Sequence, residues 1–302
     1  MIVKNNIVIK NISWLKNVKT GSVKTIYYPE TLGELQDICL NIWGEGKEFF
    51  LFGHTSNSYF YPTFSPEFII STLHLNKFED GEDFVYCQCG AHIKTIARVM
   101  VDLGVEGFYG LIDLPGTIGA AVYGNAGCFG CETSDIFLEA EVLMRDGRVI
   151  ICNKEDVNFT RRGSALKRKD IDGVILSVKL KKKKGNISEI KSKADEAHRL
   201  RVKTQPGAQN NLGSCFSSGE RTFFYKVLQK ILRIYLKLTK QPQSKILPLT
   251  LIIMGYKHLI PYLHDMNRFI WIDEKASVAF EDYVRLYKYL HTGANMEINI
   301  YK

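Results

Sequence analysis

The sequence Leu114-Pro115-Gly116-Thr117-Ile118-Gly119-Ala120-Ala121 is followed closely by Gly124-Asn125-Ala126-Gly127. Seven of these twelve residues are glycine or alanine, and the run lacks the polar side chains of a linker. Residues without long side chains leave the backbone open to close approach. The pattern therefore favours a loop whose backbone contacts a large bound group. The alternative is a tightly packed glycine and alanine turn.

A second loop of small and hydroxyl residues, Gly53-His54-Thr55-Ser56-Asn57, comes directly after the β-rich run Glu48–Phe52. Backbone amides in such loops bind phosphate, because glycine and serine leave the backbone exposed and glycine accepts positive φ. A diphosphate fits this pattern, and an ordinary connection between a strand and a turn has the same composition. Together the two loops predict an anionic cofactor bound by backbone amides.

The balance of charge also favours an anionic ligand. The chain of 302 residues has a net charge of +8 and a pI near 9.0, so its surface attracts anions. Its most basic run, Lys181–Lys184, has no aromatic-rich RNA-binding signature and no zinc-finger spacing beside it. We therefore expect a nucleotide or cofactor as the partner, and neither nucleic acid nor a membrane.

The seven cysteines form an odd set in a chain that begins without a recognisable secretion signal, which argues against a disulfide framework. Cys128-Phe129-Gly130-Cys131 has the C-x-x-C spacing of redox and zinc sites, but it has no second pair and no histidine pattern nearby. No stretch reaches the roughly 18 apolar residues of a membrane span. We expect reduced thiols, no metal and a cytoplasmic location.

Helical and strand patterns mix along the chain without strict alternation. Thr31 and Glu34 predict a capped helix with its apolar face in residues 35–42, and a second helix is predicted for about residues 92–103. Asp146-Gly147 predicts a type I′ hairpin turn between two β-rich runs. The mixture predicts an α+β fold, and polar turn residues predict a domain boundary near residue 200.

Residues 224–238 predict a basic amphipathic helix. Its apolar residues keep helical spacing, and a stripe of this kind normally faces a protein core. We therefore expect the helix to pack on its own domain, and a position on a membrane surface is the alternative. The residues of the predicted stripe are Val227, Leu228, Ile231, Leu232 and Tyr235.

Five ordered segments resemble the UDP-N-acetylenolpyruvoylglucosamine reductase family, also called UDP-N-acetylmuramate dehydrogenases. Residues 53–57 resemble the family's G-x-G-S-N loop, and residues 114–127 resemble its I-P-G-T-V-G-G-A and N-A-G run. Residues 159–164 resemble F-x-Y-R-x-S, and residues 201–216 contain counterparts of R-x-x-x-Q-P and G-S-x-F at the spacing of the type II subgroup. The fifth segment is the closing strand after Gly293.

The resemblance implies a two-lobed FAD-binding domain of the vanillyl-alcohol-oxidase (PCMH) type and a C-terminal α+β substrate-binding domain. The first would cover residues 1–185, with lobes of about 1–73 and 74–185, and the second residues 200–302. FAD and NADPH are the implied cofactors, and we expect a monomer. The implied cofactor-binding residues are Gly53, His54, Thr55, Ser56, Asn57, Pro115, Gly116, Thr117, Ile118, Gly119, Ala120, Asn125, Ala126 and Gly127.

The implied reaction passes hydride from NADPH through the flavin to UDP-N-acetylglucosamine enolpyruvate, giving UDP-N-acetylmuramate for peptidoglycan synthesis. Hydride addition to this carboxylate-activated enol ether builds an enediolate, so the site needs a cation at the developing charge and an acid at the α-carbon. Arg162 suits the first task because a guanidinium binds a carboxylate through two nitrogens. The resemblance assigns the second task to Ser214. A surface pair with Arg161 and a cap are the alternatives for these two residues.

The sequence departs from the family at the closing strand. Asn299 stands where the family's L-E-x-E-V pattern has its second glutamate, and Glu297 shares a strand face with it because side chains alternate. Either residue is a candidate to complete the acid site. Residues 217–219 also replace the family's K-N-P. Two other functions therefore stay open: a related flavin oxidoreductase acting on a different sugar nucleotide, and an FAD-binding paralogue without turnover.

Overall fold

A computed structural model describes residues 1–9, 21–206, 211–217, 219–271, 273 and 275–302. These residues form two compact units. Unit 1 comprises Met1–Ile7, Ser22–Thr55 and Ser65–Gln205, and unit 2 comprises the described residues of Val8–Gly21, Ser56–Phe64 and Pro206–Lys302. Residues 56–64 lie within the first predicted lobe but pack in unit 2. Ser218, one of the residues that replace K-N-P, lies outside the described residues.

The elements are numbered in chain order. The strands are β1 Ile2–Val8, β2 Ser22–Tyr28, β3 Phe50–Phe52, β4 Ser58–Phe60, β5 Phe68–Ser71, β6 Phe78–Asp80, β7 Phe84–Gln88, β8 Gly127–Cys128, β9 Cys131–Glu132, β10 Phe137–Met144, β11 Val149–Asn153, β12 Gly173–Lys181, β13 Asn211–Ser214, β14 Glu220–Arg221, β15 Leu263–Asp265, β16 Arg268–Ile270, β17 His291–Thr292 and β18 Asn299–Tyr301. The helices are α1 Leu32–Gly44, α2 Ile93–Asp102, α3 Ile118–Gly124, α4 Thr133–Ile136, α5 Lys154–Val157, α6 Ala165–Arg168, α7 Ile187–Thr204, α8 Phe223–Leu238, α9 Ile246–Ile253 and α10 Ala276–Leu290.

Unit 1 contains two larger sheets. The first has the order β1-β2-β5-β3, in which β5 runs parallel to both β2 and β3. The second has the order β11-β10-β12-β7-β6, and its paired strands are antiparallel. One hydrophobic core contains buried side chains of α1, α2, the second sheet and β5 of the first sheet. This mixture of parallel and antiparallel pairing with separate helices is the predicted α+β architecture.

The two helices predicted in unit 1 are confirmed. Thr31 caps α1 by accepting a hydrogen bond from the Glu34 amide at 3.1 Å, and the helix buries Leu35, Ile38, Cys39 and Ile42. The Glu34 carboxylate accepts from the Glu30 amide at 2.8 Å. The second helix, α2, buries Ile93, Ile96, Ala97, Met100 and Val101, and Gly104 with φ of 70° follows its end. Local capping and apolar spacing therefore determined both elements.

The hairpin between β10 and β11 is confirmed, but its predicted turn type is wrong. The Met144 amide donates to Arg148 O at 2.8 Å, and the Gly147 amide donates to Met144 O at 3.0 Å. Only Gly147 of the Asp146-Gly147 pair has positive φ, at 87°. Three residues therefore lie between the hydrogen-bonded residues Met144 and Arg148, and glycine occupies the left-handed position of a type I turn with a bulge.

Unit 2 is built from short strands and three longer helices around an aromatic core. Its sheets are β13-β16-β15, β14-β17 and the parallel pair β18-β4. Trp271, Phe269, Phe280 and Tyr283 are among its largest fully buried side chains. The closing strand is shorter than the predicted stretch from Met296, because β18 begins at Asn299.

Helix α8 packs on unit 2 through a different face from the one predicted. Tyr225, Leu232 and Leu236 are its buried residues, and Val227, Ile231 and Tyr235 are exposed. The prediction that these last three face the core is therefore wrong. None of the helices in the described part of the chain has the length and apolarity needed to cross a membrane.

Candidate functional site

The first two predicted loops of unit 1 touch one another at Gly53 and Thr117. A Cβ atom added to Gly53 would clash with the Thr117 side chain, so only glycine fits at this position. Thr117 is buried and caps α3, since its Oγ1 accepts a hydrogen bond from the Ala120 amide at 3.5 Å. Thr55 with φ of 52° and Gly116 with φ of 134° give the two loops left-handed turns. The two loops therefore pack on one another through the Thr117 side chain, next to the positive-φ turns at Thr55 and Gly116.

Two predicted cofactor residues in the second loop are engaged by the chain itself. The Ile118 amide donates to Ala91 O at 2.8 Å, and the Gly119 amide donates to Cys89 O at 2.8 Å. A Cβ at Gly119 would also lie 3.0 Å from Cys89 O. The small residue at position 119 therefore serves close packing against residues 89–91, which is the alternative that the composition left open.

A pair of histidines lies beside the loops. The rings of His54 and His92 are 4.5 Å apart between centroids in an edge-to-face arrangement. Burial, with smaller contributions from His92 and Lys94, lowers the pKa of His54. Burial and Lys94 also lower the pKa of His92. Both imidazoles are therefore neutral near pH 7, so they contribute hydrogen-bonding groups to this region without adding charge.

Asn125, another residue predicted to bind the cofactor, is buried, and its side chain forms hydrogen bonds with other segments of unit 1. Its Nδ2 donates to Glu132 Oε2 at 3.1 Å and to Thr160 O at 3.0 Å, and its Oδ1 accepts from the Ser134 amide at 3.0 Å. Its φ of 41° is left-handed and ends α3. Asparagine is among the residues that tolerate this conformation best. The side chain therefore stabilises the loop, since both of its donor hydrogens are used within unit 1.

Arg162 lies against the same segment. Its Nη1 donates to Asn125 O at 3.2 Å, and its Nη2 donates to Gly127 O at 2.9 Å. Nη1 also lies 3.5 Å from Glu132 Oε1. The side chain is 24% exposed and its backbone has φ of 59°. The guanidinium therefore binds two carbonyls of the loop, and the expected alternative of an exposed surface pair with Arg161 does not describe its contacts.

Ser56 and Asn57 of the first predicted loop belong to unit 2. Asn57 Nδ2 donates to Leu212 O at 2.8 Å and to Ser214 O at 3.0 Å. Gly213, between them, has φ of 76°, and a Cβ there would lie 2.9 Å from Asn57 Nδ2. Asn57 therefore fixes the strand that presents Ser214.

The same end of unit 2 carries Glu297 and Asn299, the two candidate residues of the closing segment. The Glu297 amide donates to Cys215 O at 2.8 Å, and the Asn299 amide donates to Asn57 O at 3.1 Å. Ile298 between them is buried, and both flanking residues are half-buried. Glu297 lies outside β18, which begins at Asn299, so the alternation of a strand does not apply to this pair and the shared strand face stays a prediction. The backbone thus brings the segments of Ser214, Glu297 and Asn299 together.

Comparison with known proteins decides the family. A family model described as FAD binding domain matches residues 23–153. UDP-N-acetylenolpyruvoylglucosamine reductase from Petrotoga mobilis is 30% identical over 210 residues, which are 68% of this chain and 68% of that protein. The chain belongs to the UDP-N-acetylenolpyruvoylglucosamine reductase family. The reductase from Enterococcus faecalis is 28% identical over 221 residues, 73% of this chain and 72% of that protein.

A solved structure confirms the fold of the reductase family for the whole chain. UDP-N-acetylenolpyruvylglucosamine reductase from Thermus caldophilus superimposes with a TM-score of 0.71 at 21% identity, covering 100% of each chain. The family model confirms that the chain contains an FAD-binding domain, and the matched residues include both small-residue loops. The chain therefore belongs to a family of oxidoreductases. FAD and NADPH, the two predicted cofactors, are the cofactors of this family.

Unit 1 also contains a cluster of an acidic and two basic side chains that was not predicted from the sequence. Asp113, just before the Leu114-Pro115-Gly116 turn, contacts His198 Nδ1 at 2.6 Å and Arg98 Nη2 at 2.7 Å. Burial opposes ionisation of Asp113, but hydrogen bonds from His198 and Arg98 outweigh it and lower the pKa of the carboxyl. The cluster joins α2, α7 and the turn. Its partners lie up to 85 residues apart, so no local pattern could have indicated it.

Proposed function

We propose that the chain is an FAD-dependent reductase that uses NADPH to reduce UDP-N-acetylglucosamine enolpyruvate to UDP-N-acetylmuramate, a peptidoglycan precursor. Membership of the reductase family supports the reaction class. The single observation that carries the assignment to this chain is the support of Ser214 by Asn57, next to the segment of Glu297 and Asn299. We propose the cytoplasm as its location, since an odd set of seven cysteines does not suit a disulfide framework.

The cofactor would lie against unit 1. The backbone of Gly53–Thr55 and Pro115–Thr117 is the part of the predicted loops that we assign to the FAD diphosphate, because the amides of Ile118 and Gly119 bind the chain itself. Gly116, with φ of 134°, gives its loop the positive-φ turn that suits a nest of backbone amides, whereas the missing side chain of Gly53 makes room for Thr117. When bound, FAD supplies the transfer of hydride between NADPH and the enolpyruvyl group.

The protein residues would supply the proton and the charge stabilisation. Ser214 is proposed to donate a proton to the α-carbon, which balances the hydride added at the β-carbon. Asn57 would keep the Ser214 backbone in place through the hydrogen bond to its carbonyl. Glu297 or Asn299 would orient the serine hydroxyl or the substrate carboxylate, and Arg162 is the candidate cation for the enediolate.

A stopped-flow experiment separates the two half-reactions of the purified protein. FAD absorbance should bleach on addition of NADPH, and addition of the enolpyruvyl sugar nucleotide should restore it. Bleaching without reoxidation by this substrate would contradict the proposed substrate. Protein that shows no flavin absorbance and binds no added FAD would contradict the proposed cofactor chemistry altogether.

Two observations each favour one of the two alternative functions. Asn299 replaces the glutamate of the family pattern, which favours an FAD-binding paralogue without turnover. Residues 217–219 replace the K-N-P that helps the family hold its substrate, which favours a different sugar nucleotide. Full flavin occupancy without reoxidation by any sugar nucleotide would support the first. Reoxidation by another enolpyruvyl or unsaturated sugar nucleotide would support the second.

A further inference from the structure

Helix α8 carries an exposed apolar stripe that no described part of unit 2 covers. The stripe consists of six side chains between 38% and 78% exposed, at the spacing of one helix face: Phe224, Val227, Ile231, Ile234, Tyr235 and Leu238. It is distinct from the face of Tyr225, Leu232 and Leu236, which packs in the core. Phe224 has one aromatic neighbour, Tyr289, at 6.3 Å between ring centroids. Scattered exposed apolar residues are normal, but a continuous stripe of this length marks an interaction surface.

A row of positive charges runs along the same helix beside the apolar stripe. Lys226, Lys230, Arg233 and Lys237 follow one another at spacings of four, three and four residues, so they form one row. All four are exposed, and none forms an ion pair with a described residue. Helix α8 contains no aspartate or glutamate. The exposed surface is therefore apolar along one side and purely cationic along the other.

We propose that this face of α8 docks on an anionic lipid surface, with the apolar stripe inserted between the headgroups and the basic row in contact with them. A helix whose apolar side is flanked by lysine and arginine has the pattern of interfacial helices. The 16 residues of α8 span about 24 Å, enough for four cations to contact separate headgroups. Aromatic residues such as Phe224 and Tyr235 suit the boundary between headgroups and hydrocarbon.

Charge favours a lipid surface over a second copy of the chain. A symmetric contact between two copies would place the same patch on both sides, and α8 has no acidic residue with which either copy could pair the basic row of the other. Like charges brought together oppose association. The proposal concerns surface attachment and does not depend on the flavin reaction. It departs from the expectation, drawn from the sequence, that the protein has no membrane partner.

Flotation with vesicles tests the proposal on the full chain loaded with FAD. Vesicles of phosphatidylcholine mixed with an equal amount of phosphatidylglycerol should carry the protein upward, and pure phosphatidylcholine vesicles should bind it at least about tenfold less. The double variant Ile231→Asp, Leu238→Asp should lose binding to the anionic vesicles by about tenfold or more. Lys230→Glu should weaken it by about tenfold, and raising salt from about 0.05 M to about 0.5 M should weaken it as well.

Two variants in unit 1 serve as matched controls. Ile151→Asp replaces an isoleucine that is 63% exposed, and Lys203→Glu reverses an exposed lysine. Both should bind the anionic vesicles as the parent does, and all variants should keep the parent's circular dichroism and flavin absorbance. The proposal is overturned if the parent does not float with anionic vesicles, or if the α8 variants and the controls bind equally. Sedimentation that shows a dimer dissociated by Ile231→Asp, without vesicle binding, would assign the face to a second copy and overturn it too.

Discussion

In unit 1, the side chains of Asn125, predicted to bind the cofactor, and of Arg162, predicted to be catalytic, contact other parts of the chain, whereas in unit 2 the predicted catalytic residues are held mainly through their backbone. Asn125 and Arg162 use side-chain nitrogens on carbonyls and carboxylates of unit 1. In unit 2, in contrast, Asn57 Nδ2 donates a hydrogen bond to Ser214 O, and the Asn299 amide donates one to Asn57 O. Both bonds hold the backbone of the predicted catalytic residue. The comparison distinguishes residues that shape a site from residues whose side chains are presented to it.

The largest effect should come from Ser214→Ala. Because the serine is proposed to supply only a proton, its loss should slow reoxidation of the reduced flavin by substrate by about 100-fold to 10,000-fold. FAD binding and flavin reduction by NADPH should be unchanged in stopped-flow traces. Ser65→Ala, which removes an exposed serine hydroxyl 3.2 Å from Ser22 Oγ, is the matched control and should leave both steps unaltered. Equal damage to both half-reactions would place Ser214 among the shaping residues.

Asn125→Ala should cause the largest loss of stability. It removes three hydrogen bonds from a buried junction, each worth about 1 kcal/mol, and it leaves an alanine in a left-handed conformation. We expect the free energy of unfolding, measured in urea, to fall by about 3 kcal/mol. Asn158→Ala is the matched control, because Asn158 also has a left-handed φ of 42° but is exposed. Similar losses in the two variants would show that the Asn125 side-chain contacts contribute little.

Arg162→Lys tests whether Arg162 shapes the loop or serves the substrate alone. An ammonium cannot hold Asn125 O and Gly127 O together as two guanidinium nitrogens do. We expect the free energy of unfolding to fall by about 2 kcal/mol and the affinity for FAD to fall by about tenfold. The exposed neighbour provides the control, Arg161→Lys, which should change neither quantity. Unchanged FAD affinity with slower reoxidation by substrate would instead confine Arg162 to the substrate carboxylate.

The features predictable from the sequence are those set by nearby residues. Thr31 with Glu34, and the apolar spacing of α2, determine their helices within a few turns. The partners of Asn57, in contrast, lie 155 and 157 residues away, and a sequence pattern assigns Asn57 to a loop without revealing what it holds. The turn at Asp146 depends on strand pairing, and the buried face of α8 depends on neighbouring elements. Small-residue composition predicts close approach but does not tell whether a ligand or the chain itself approaches.

The smallest expected effect is the change in stability with pH that comes from protonation of His54 and His92. Burial lowers the pKa of both His54 and His92 below the ordinary value of 6.5, so the unfolded chain binds more protons than the folded chain at mildly acidic pH. Their contribution to stability is therefore fully present above about pH 6.5 and is lost as the pH falls through the folded-state values. Urea unfolding should show a decline as the pH falls from about 6.5 to about 5.5, a range above the usual carboxyl pKa values.

The double variant His54→Gln, His92→Gln should decline less steeply than the parent over the same pH range. His291, whose pKa is also lowered by burial, remains in the variant, so part of the decline should persist. Replacement of the exposed His264 by glutamine is the matched control and should keep the parent's slope. If the double variant and the parent give the same slope, the loops are not sensitive to protonation of this pair. A reduced slope would instead show that unit 1 is most stable with an uncharged histidine pair beside its small-residue loops.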